Sequence, residues 1–472
     1  MRKFFRSVSV NDSGKWVARL VPAVLLRLSG RMRDVHARIR HRRRDLLAAG
    51  AAFPLAALGL AACGGGDGPD PDLRADLPRA EVGPARDAGD LVIPFTATLL
   101  AAIDRAPVNA VCSPLSAQVA LAIIGMGAAG STRAQMEEVL GGPTDELAAS
   151  ANTLAQVLTA VGDRERELAE EEAPEPATAS LVNGTWVQEG MEVREPFLED
   201  LATWFGSGLF EADFVDEAAR EQARGEINGW VADSTNDLIE EIVPEGALSK
   251  STRLVLVNAL HLKAAWPKEL TRSGGTFTAA DGEELSAEML EGSTTTWYED
   301  EVCRATSLDT YGKELALALV QPTGDLDEVL DAWATSADAP DAGLAALLAG
   351  LEESESRTRL SVPALDVGWG APLTPTLQQL GMTEAFSGGA DFSGVTGEGG
   401  LAVDDVLQKA VLTIDEEGME AAAATVVGVG AVSAPLDEHE LVLDRPFLVI
   451  AYELTTLAPL VVGWIGDPTQ TR

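Results

Sequence analysis

Side chains that could carry acid–base or nucleophilic catalysis are scarce in this sequence. Of the four histidines in the 472 residues, only His261 and His439 follow Cys63. Neither a G-x-S-x-G nor an H-E-x-x-H pattern occurs. The three cysteines, Cys63, Cys112 and Cys303, are too few for a disulfide framework and lack the spacing of zinc ligands. We therefore expect a protein that is not an enzyme and that needs neither a metal nor a cofactor.

The charge of the chain argues against nucleic-acid binding. The formal net charge is −39, and the part after Cys63 contains 22 basic and 71 acidic residues, a net of −49. A polyanion of this size repels phosphate backbones and anionic lipid. Such a surface is typical of a salty or acid-tolerant setting and equally of a protein kept soluble by charge. With 46% hydrophobic residues, the chain can still bury a large core.

Cys63 lies in a sequence context that indicates modification. A basic cluster, Arg42, Arg43 and Arg44, precedes a small-residue apolar run at 46–62 that is shorter than the ~20 residues of a spanning helix. The motif L-A-A-C that ends at Cys63 resembles a lipobox, in which the cysteine is lipidated and becomes the new amino terminus. The pair Arg43-Arg44 before D-L-L resembles a twin-arginine export signal.

We therefore expect residues 1–62 to be an export signal of the twin-arginine or lipoprotein type. Residues before Met32 add nothing to such a signal, which favours Met32 as the true start. The mature protein is expected to be exported and held at Cys63 as a cell-surface or periplasmic lipoprotein; an uncleaved signal anchor is the alternative. Residues 63–88 are rich in Gly, Pro and Asp and predict a flexible tether with a reach of roughly 25–30 Å. Residues 89–472 form the predicted folded domain.

Hydrophobic periodicity predicts early helices and later strands. Ser113 and Pro114 predict an N-cap and a first turn, and residues 132–135 a capping box for a second helix. Strands are predicted at 181–188, 254–263, 315–321, 360–367, 410–415, 448–454 and 460–465. The acidic, alanine-rich segments 163–180 and 333–356 predict surface helices and loops. This order favours an α+β fold over a wound α/β sheet.

A stretch without bulk or charge follows the strand predicted at 410–415. Residues 421–434 are small and nearly uncharged, whereas a linker in this chain would be expected to be acidic. A long, uncharged, β-competent loop on a surface is an aggregation hazard. We therefore expect a specific use for it, such as a strand that fits into a narrow gap.

From about Leu91 to Pro468 the sequence resembles the serpin family, through several motifs in the family's order. They are N-A-V-C-S-P-L-S at 109–116, G-A-A-G-S-T-R at 127–133, L-V-N-G-T-W-V-Q at 181–188, I-N-G-W-V at 227–231, L-V-L-V-N-A-L at 254–260 and D-R-P-F at 444–447. The segment 406–425 resembles the strand and hinge before the family's reactive-centre loop.

The resemblance implies a serpin fold with three β-sheets, about eight or nine helices and an exposed reactive-centre loop. It also implies a suicide-substrate inhibitor: cleavage of the loop acylates a serine protease, and the loop then inserts into the central β-sheet and traps the acyl-enzyme. Gly418 is expected to permit a turn at the base of the hinge. The hinge residues implied by the resemblance are Glu416, Glu417, Gly418, Met419, Glu420, Ala421, Ala422, Ala423, Ala424 and Thr425.

The cleaved bond follows from the family's usual loop length. Counting forward from Glu416 places it at Val432-Ser433, while the longer distance back from Phe447 leaves the bonds within residues 430–435 open. The sequence has no Arg or Lys from 410 to 444. A small apolar residue at the cleaved position suits an elastase-like or subtilisin-like protease and disfavours a trypsin-like one.

Three positions depart from the family's pattern. Gln408 stands where many members have a histidine, so pH switching by that histidine is absent. Met419 stands where inhibitory members have a small or β-branched residue, although a thioether can be buried. Ala364 replaces a lysine that pairs with the hinge glutamate Glu416 in some relatives, so that salt bridge cannot form. The residues implied to control sheet opening, in the shutter and breach regions, are Ser113, Ser116, Asn258, Trp266 and Gln408.

The sequence thus predicts a monomeric inhibitor that forms a covalent acyl-enzyme complex with a serine protease and is anchored to a membrane through lipidated Cys63. The alternative is a non-inhibitory serpin that acts as a surface binding or structural protein. Met419 and Gln408 favour this alternative, and the alanine run at 421–424 argues against it.

Overall fold

The computed structural model describes residues 9–10, 16–17, 70–106, 108–168, 173–397, 399–404, 406–419 and 437–472. The chain divides into two units, residues 1–61 and 62–472. In the first unit, the described residues form two short antiparallel strands, β1 (Ser9–Val10) and β2 (Trp16–Val17). Over all the described ranges, no helix is both long enough and apolar enough to cross a bilayer.

Helices of the second unit precede and interrupt its strands. The α-helices in its described residues are α1 (Ala85–Ala102), α2 (Pro114–Gly125), α3 (Gly130–Leu140), α4 (Thr144–Thr159), α5 (Asp163–Leu168), α6 (Glu195–Asp200), α7 (Glu217–Ser234), α8 (Leu326–Thr335), α9 (Gly343–Glu353) and α10 (Thr374–Leu380). A π-helical turn, Leu201–Phe205, follows α6, and a 3-10 turn, Glu384–Phe386, follows α10.

Sixteen strands alternate with these helices in the part of the second unit that is described. They are β3 (Asn109–Cys112), β4 (Thr178–Gln188), β5 (Phe210–Ala212), β6 (Leu254–Ala265), β7 (Thr271–Thr278), β8 (Glu284–Thr294), β9 (Tyr298–Glu299), β10 (Cys303–Asp309), β11 (Leu315–Pro322), β12 (Thr358–Pro363), β13 (Leu365–Pro372), β14 (Leu407–Ile414), β15 (Gly418–Met419), β16 (His439–Val442), β17 (Phe447–Glu453) and β18 (Pro459–Ile465).

The strands form three sheets, which confirms the expected α+β class. The central sheet has the order β13-β14-β15-β6-β4-β5. A second six-stranded sheet has the order β3-β18-β17-β11-β10-β9, and a four-stranded sheet has the order β16-β12-β8-β7. In the four-stranded sheet, β16 pairs in parallel with β12.

The two faces of the central sheet are covered by different helices. Along β6, Val255 and Val257 pack in a cluster with Ile227 and Val231 of α7, whereas Leu256 belongs to the main core that includes α2. This alternation is the period-two pattern expected of a strand buried on both faces. All twelve residues of α2 are buried, so α2 is the central helix of the fold.

The two helix-start predictions had different outcomes. Ser113 caps α2 as predicted, because its side-chain oxygen accepts a hydrogen bond from the Ser116 backbone N at 3.2 Å. The predicted capping box at 132–135 is wrong, since α3 already begins at Gly130. Thr132 Oγ1 instead accepts from Asp391 N at 3.0 Å, and Gln135 Oε1 accepts from Glu384 N at 2.8 Å. Both side chains therefore hold the distant segment 383–391 against α3.

All seven predicted strands lie in observed strands, but their boundaries differ. The run predicted at 360–367 is two strands, because β12 ends at Pro363 and β13 begins at Leu365. Several strands were not predicted at all. β7, with the sequence T-R-S-G-G-T-F-T, is a half-exposed edge strand whose polar residues resemble a loop. Hydrophobic alternation is weak in such strands, since only one face packs against the core.

Two segments that composition predicted to be flexible or on the surface are attached to the fold over part of their length. In the segment 333–356, Trp333, Leu347 and Leu348 are fully buried, so α9 is part of the core. In the predicted tether 63–88, residues from Asp72 onward hydrogen-bond to the body, and α1 already begins at Ala85. That part of the tether prediction is wrong. Composition suggested flexibility, whereas backbone hydrogen bonds to the fold hold the segment in place.

Candidate functional site at the hinge of the central sheet

The central sheet contains a two-residue strand between two long ones. Residue Met419 of β15 lies opposite Ile414 of β14 on one side and opposite Ala264 of β6 on the other, and Gly418 lies opposite Ala265. Within the described part of the chain, no ladder of backbone hydrogen bonds joins β6 directly to β14. The start of the segment that leads to residues 421–434 therefore already occupies one end of a gap in the sheet.

The turn into β15 is built by Asp415 and Gly418. Asp415 Oδ1 accepts hydrogen bonds from the backbone N atoms of Glu417 and Gly418, both at 2.9 Å. A Cβ atom at Gly418 would lie 2.3 Å from the carbonyl O of Ala264. The expected role of Gly418 is thus corrected. Its φ is not in the left-handed region, and glycine is needed there because β6 approaches too closely for a side chain.

Trp266 and the residues after it hold the hinge backbone. Trp266 N donates to the carbonyl O of Glu417 at 2.8 Å, and Trp266 Nε1 donates to the carbonyl O of Asp415 at 3.0 Å. Leu270 N donates to the carbonyl O of Glu416 at 2.8 Å. The indole of Trp266 is 4% exposed, so its hydrogen bond is shielded from water. The segment 266–270 therefore fixes the position of the turn.

A charged side chain from the four-stranded sheet also reaches the hinge. Arg272 on β7 forms ion pairs with Glu416 and with Glu288 on β8. The hydrogen bond to Arg272 lowers the pKa of Glu416 below its usual value. Burial raises the pKa of Glu417, and the neighbouring carboxylates of Asp415 and Glu416 raise it further. The two consecutive glutamates therefore lie in opposite electrostatic environments. The surroundings stabilise the charged form of Glu416 and destabilise the charged form of Glu417.

Met419 is already buried between the two long strands. Its side chain is 1% exposed and belongs to the main core. Beside it lies a narrow apolar cavity between β6 and β14, lined by Leu260, Leu262, Val411 and Leu238 among others. The gap therefore accepts a thioether at this position. The sequence suggested that Met419 disfavours entry of the strand into the sheet, and its burial removes that argument.

Lower in the sheet, Gln408 joins β14 to the cap of α2. Gln408 Nε2 donates to the carbonyl O of Ser113 at 2.5 Å, and Ser113 N donates to Gln408 Oε1 at 3.2 Å. Gln408 is 6% exposed, and Ser116 Oγ is buried without a hydrogen-bond partner among the described residues. The structure thus brings Ser113, Ser116 and Gln408 together, as expected.

Asn258 makes its contact on the other side of the gap. It lies opposite Asn183 in the β4–β6 pairing, and its Nδ2 donates to Asn183 Oδ1. Over the ranges described above, no hydrogen bond joins Asn258 to Gln408. The polar side chains at the sheet opening therefore form two separate pairs. Gln408 is bonded to Ser113 on one side, and Asn258 is bonded to Asn183 on the other.

The chain on the far side of residues 420–436 is anchored to the four-stranded sheet. Glu438 N donates to the carbonyl O of Arg357 at 2.8 Å, and Arg357 Nε pairs with Asp437 at 2.9 Å. The ring of His439 stacks on Trp297 at 4.4 Å between centroids. Glu420, Ala421, Ala422, Ala423, Ala424 and Thr425 of the expected hinge, and the expected scissile residues Val432 and Ser433, lie outside the described residues.

The sequence that builds this split sheet matches one protein family over most of its length. The family model described as Serpin (serine protease inhibitor) matches residues 92–468. The chain belongs to the serpin family. A serine protease inhibitor of Cyanea capillata is 29% identical over 389 residues, with 81% of this chain and 97% of that protein covered.

Solved structures show the same fold for this serpin. The native state of the thermophilic serpin tengpin matches with a TM-score of 0.69 at 23% identity, covering 84% of this chain and 97% of that one. Human thyroxine-binding globulin complexed with thyroxine matches with a TM-score of 0.67 at 24% identity, covering 82% and 100%. These two likenesses support the fold that the family model indicates.

Sequence reasoning missed several residues of this serpin's hinge. It noted correctly that Ala364 cannot pair with Glu416, but it did not find that Arg272 takes that place from another sheet. It also missed the roles of Asp415 in the turn and of Trp297 beside His439. The D-E-E-G run was a signal for the Asp415 turn. No local signal marks Arg272, which lies in an unremarkable polar strand.

Proposed function

We propose that this serpin inhibits a serine protease as a suicide substrate. The observation that carries the proposal is β15: two residues of the hinge already pair with β6 and β14, and the described residues of those strands form no direct ladder below it. Residues that continue from Met419 can extend the same strand if they are small enough. After Glu420, the run A-A-A-A-T at 421–425 meets that demand.

In this proposal the protease attacks the reactive loop at Val432-Ser433 or at a neighbouring bond within residues 430–435. The protease serine oxygen forms an ester with the carbonyl carbon as the peptide C–N bond breaks, and the new amine stays on the segment that leads to β16. The freed end then enters the gap between β6 and β14 and carries the acyl-enzyme with it. Small residues in this region suit an elastase-like or subtilisin-like target.

Because side chains alternate along a strand, residues 421, 423 and 425 fall on the face that Met419 occupies. Ala423→Arg therefore places a charge on the face of the strand on which Met419 is buried. This variant should prevent insertion and leave the cleavage site unchanged. Glu438→Arg is the matched control, because it also adds an arginine near the loop but lies on the exposed β16 side.

The first test compares the thermal midpoint of the domain before and after a single cut within residues 426–435. A large upward shift, together with a denaturant-stable complex with an elastase-like or subtilisin-like protease, is expected for the wild type and for Glu438→Arg. Ala423→Arg should be cleaved with neither the shift nor the complex. An unchanged midpoint in the wild type would refute the trapping mechanism and leave the non-inhibitory alternative, as for thyroxine-binding globulin among serpins.

We also propose that the protein is exported and lipidated at Cys63 and acts as a monomer at a membrane surface. The basic cluster, the apolar run and the L-A-A-C motif support export and lipidation. The strongly acidic composition supports a protein without nucleic-acid partners. Mass spectrometry of the membrane fraction tests lipidation, and a Cys63→Ser variant should be released from it.

A further inference from the structure

Residues 72–83, which precede α1, are attached to the body of the domain, and we call them the strap. At its start, Leu73 and Leu209 exchange two backbone hydrogen bonds, at 3.0 and 2.8 Å. Asp72 Oδ2 accepts from Glu211 N at 2.9 Å. A Cβ at Gly208 would lie 2.5 Å from the carbonyl O of Leu73, so the strap fits only because residue 208 has no side chain.

Further along, the strap is held by α4 and by the π-helical turn. Arg79 Nε donates to Asn152 Oδ1 at 2.8 Å, and Ala80 N donates to Thr203 O at 2.7 Å. Gly83 N donates to Thr153 Oγ1 at 3.0 Å. These bonds are spread along the whole strap, so it is a fixed part of the domain and adds nothing to the length of the tether.

The strap begins at the end of the central sheet that is farthest from the hinge. β4 and β6 are antiparallel, with Val187 opposite Leu254 at one end and Thr178 opposite Lys263 at the other. β5, which follows Leu209, pairs with the Trp186–Gln188 end of β4. The hinge pairs with Ala264 and Ala265 at the opposite end of β6. At ~3.3 Å per residue, the eleven steps along β6 separate the two ends by about 36 Å.

We propose that the strap orients the lipid-anchored serpin, with its strap end towards the membrane and its hinge and reactive loop away from it. The inference rests on the proposed lipidation of Cys63. Asp72 lies only nine steps along the chain from Cys63, with eight residues between them. Whatever path they take, they span at most about 32 Å, and a flexible chain of that length has a mean reach of only about 17 Å. Both distances are shorter than the length of β6.

This orientation determines which proteases can reach the loop. The domain itself separates the reactive loop from the lipid surface, so the accessible targets are proteases that approach from the aqueous side. A protease whose active site lies close to the same membrane would meet the strap end instead. The expected partner class is therefore a soluble serine protease, or one that projects at least a domain's length from the surface.

Energy transfer to a labelled membrane tests the orientation. The lipidated full chain is placed in vesicles of phosphatidylethanolamine and phosphatidylglycerol that carry an acceptor dye, with a donor dye on Lys250→Cys or Lys268→Cys. Both lysines are exposed; Lys250 precedes β6 at the strap end, and Lys268 follows it at the hinge end. Burial raises the thiol pKa of Cys112 to about 12 and also raises that of Cys303, so these native thiols should resist labelling.

Transfer is expected to be several-fold stronger from position 250 than from position 268. An insertion of thirty Gly and Ser residues between Cys63 and Asp70 should reduce this difference. Gly208→Val, which displaces the strap, should reduce it as well, and unchanged protection of the native domain from proteolysis would show that the fold remains.

Equal transfer from both positions, or stronger transfer from 268, would overturn the proposed orientation. An intact mass that shows no attached lipid would overturn both the proposed orientation and the proposed anchoring at Cys63. Complex formation with a soluble protease is measured on the same vesicles. If it fails while the transfer difference persists, the inhibitory function is refuted and the orientation stands.

Discussion

Arg272 on β7 forms an ion pair with Glu416 at the hinge, and the same guanidinium pairs with Glu288 on β8. The four-stranded sheet is thereby tied to the point from which the reactive loop leaves the central sheet. The loop insertion proposed above would proceed next to this link. The position of Glu416, and through it the conformation of the Asp415 turn, is therefore controlled by a residue outside the central sheet.

Replacement of this arginine should loosen the hinge. We expect Arg272→Gln to lower the free energy of unfolding by about 0.5–1 kcal/mol, since the pair is partly exposed. Spontaneous conversion to a loop-inserted form on warming should become faster. Arg304→Gln is the control: it breaks the Arg304–Glu299 pair, at 3.0 Å, on strands β10 and β9 of the other six-stranded sheet. Equal conversion rates for the two variants would contradict a hinge role for Arg272.

The effect of Arg272 should depend on pH. The pKa of Glu416 is lowered in the folded protein, so the contribution of the pair is present above the ordinary glutamate pKa of about 4.5 and is lost as the pH falls through the lower folded value. The difference in thermal midpoint between wild type and Arg272→Gln should therefore be constant near neutral pH and shrink below about pH 4.5. A difference that persisted in acid would show that the arginine acts through packing.

Ionisation of Glu417 should have the opposite effect on the stability of the folded protein. Its pKa is raised by burial and by Asp415, Glu416 and Glu269, so its ionised form destabilises the folded state. The penalty is absent below the unfolded pKa and is fully present above the folded pKa. Glu417→Gln should accordingly raise the thermal midpoint at pH 7 and leave it unchanged in acid. A lower midpoint at pH 7 would mean that the carboxylate has a stabilising partner.

Gln408 should contribute more to stability than Ser116, although both are buried. Gln408→Ala removes two hydrogen bonds to the Ser113 backbone, and we expect a loss of about 1–3 kcal/mol in urea unfolding. Ser116→Ala is a matched control, because Ser116 Oγ has no partner among the described residues. Its effect should be close to zero. Comparable losses in both variants would argue against the Gln408–Ser113 link.

Two glycines should respond to alanine in opposite directions. In Gly418→Ala the new Cβ would clash with the carbonyl O of Ala264, so β15 can no longer pair with β6 and the thermal midpoint should fall. Gly225 lies within α7 with open space around the position of its Cβ. Gly225→Ala should therefore stabilise the protein by about 0.5–1 kcal/mol. A neutral Gly418→Ala variant would show that the hinge does not need the close approach.

Local patterns in the sequence were enough to predict the fold class, the family and a run of small residues after the hinge. These depend on local patterns: hydrophobic period, the Ser113 cap, and a run of alanines where the rest of the chain is acidic. Burial of apolar side chains acts on each segment separately, so its pattern can be read without knowing the partners. Strong strands such as β6 and β17 were predicted for this reason, and the polar edge strand β7 was not.

Contacts between groups that are distant in the sequence become visible in the three-dimensional fold. The fold brings Arg272 to Glu416, places β6 against Gly418, and attaches the strap to Leu209 through backbone hydrogen bonds that depend little on side-chain type. Ion pairs and close backbone approaches depend on the relative positions of whole strands, and a single contact of this kind leaves no periodic trace in the sequence. The side chains and strands that hold Glu416 and Gly418 in place could therefore not be named from the sequence.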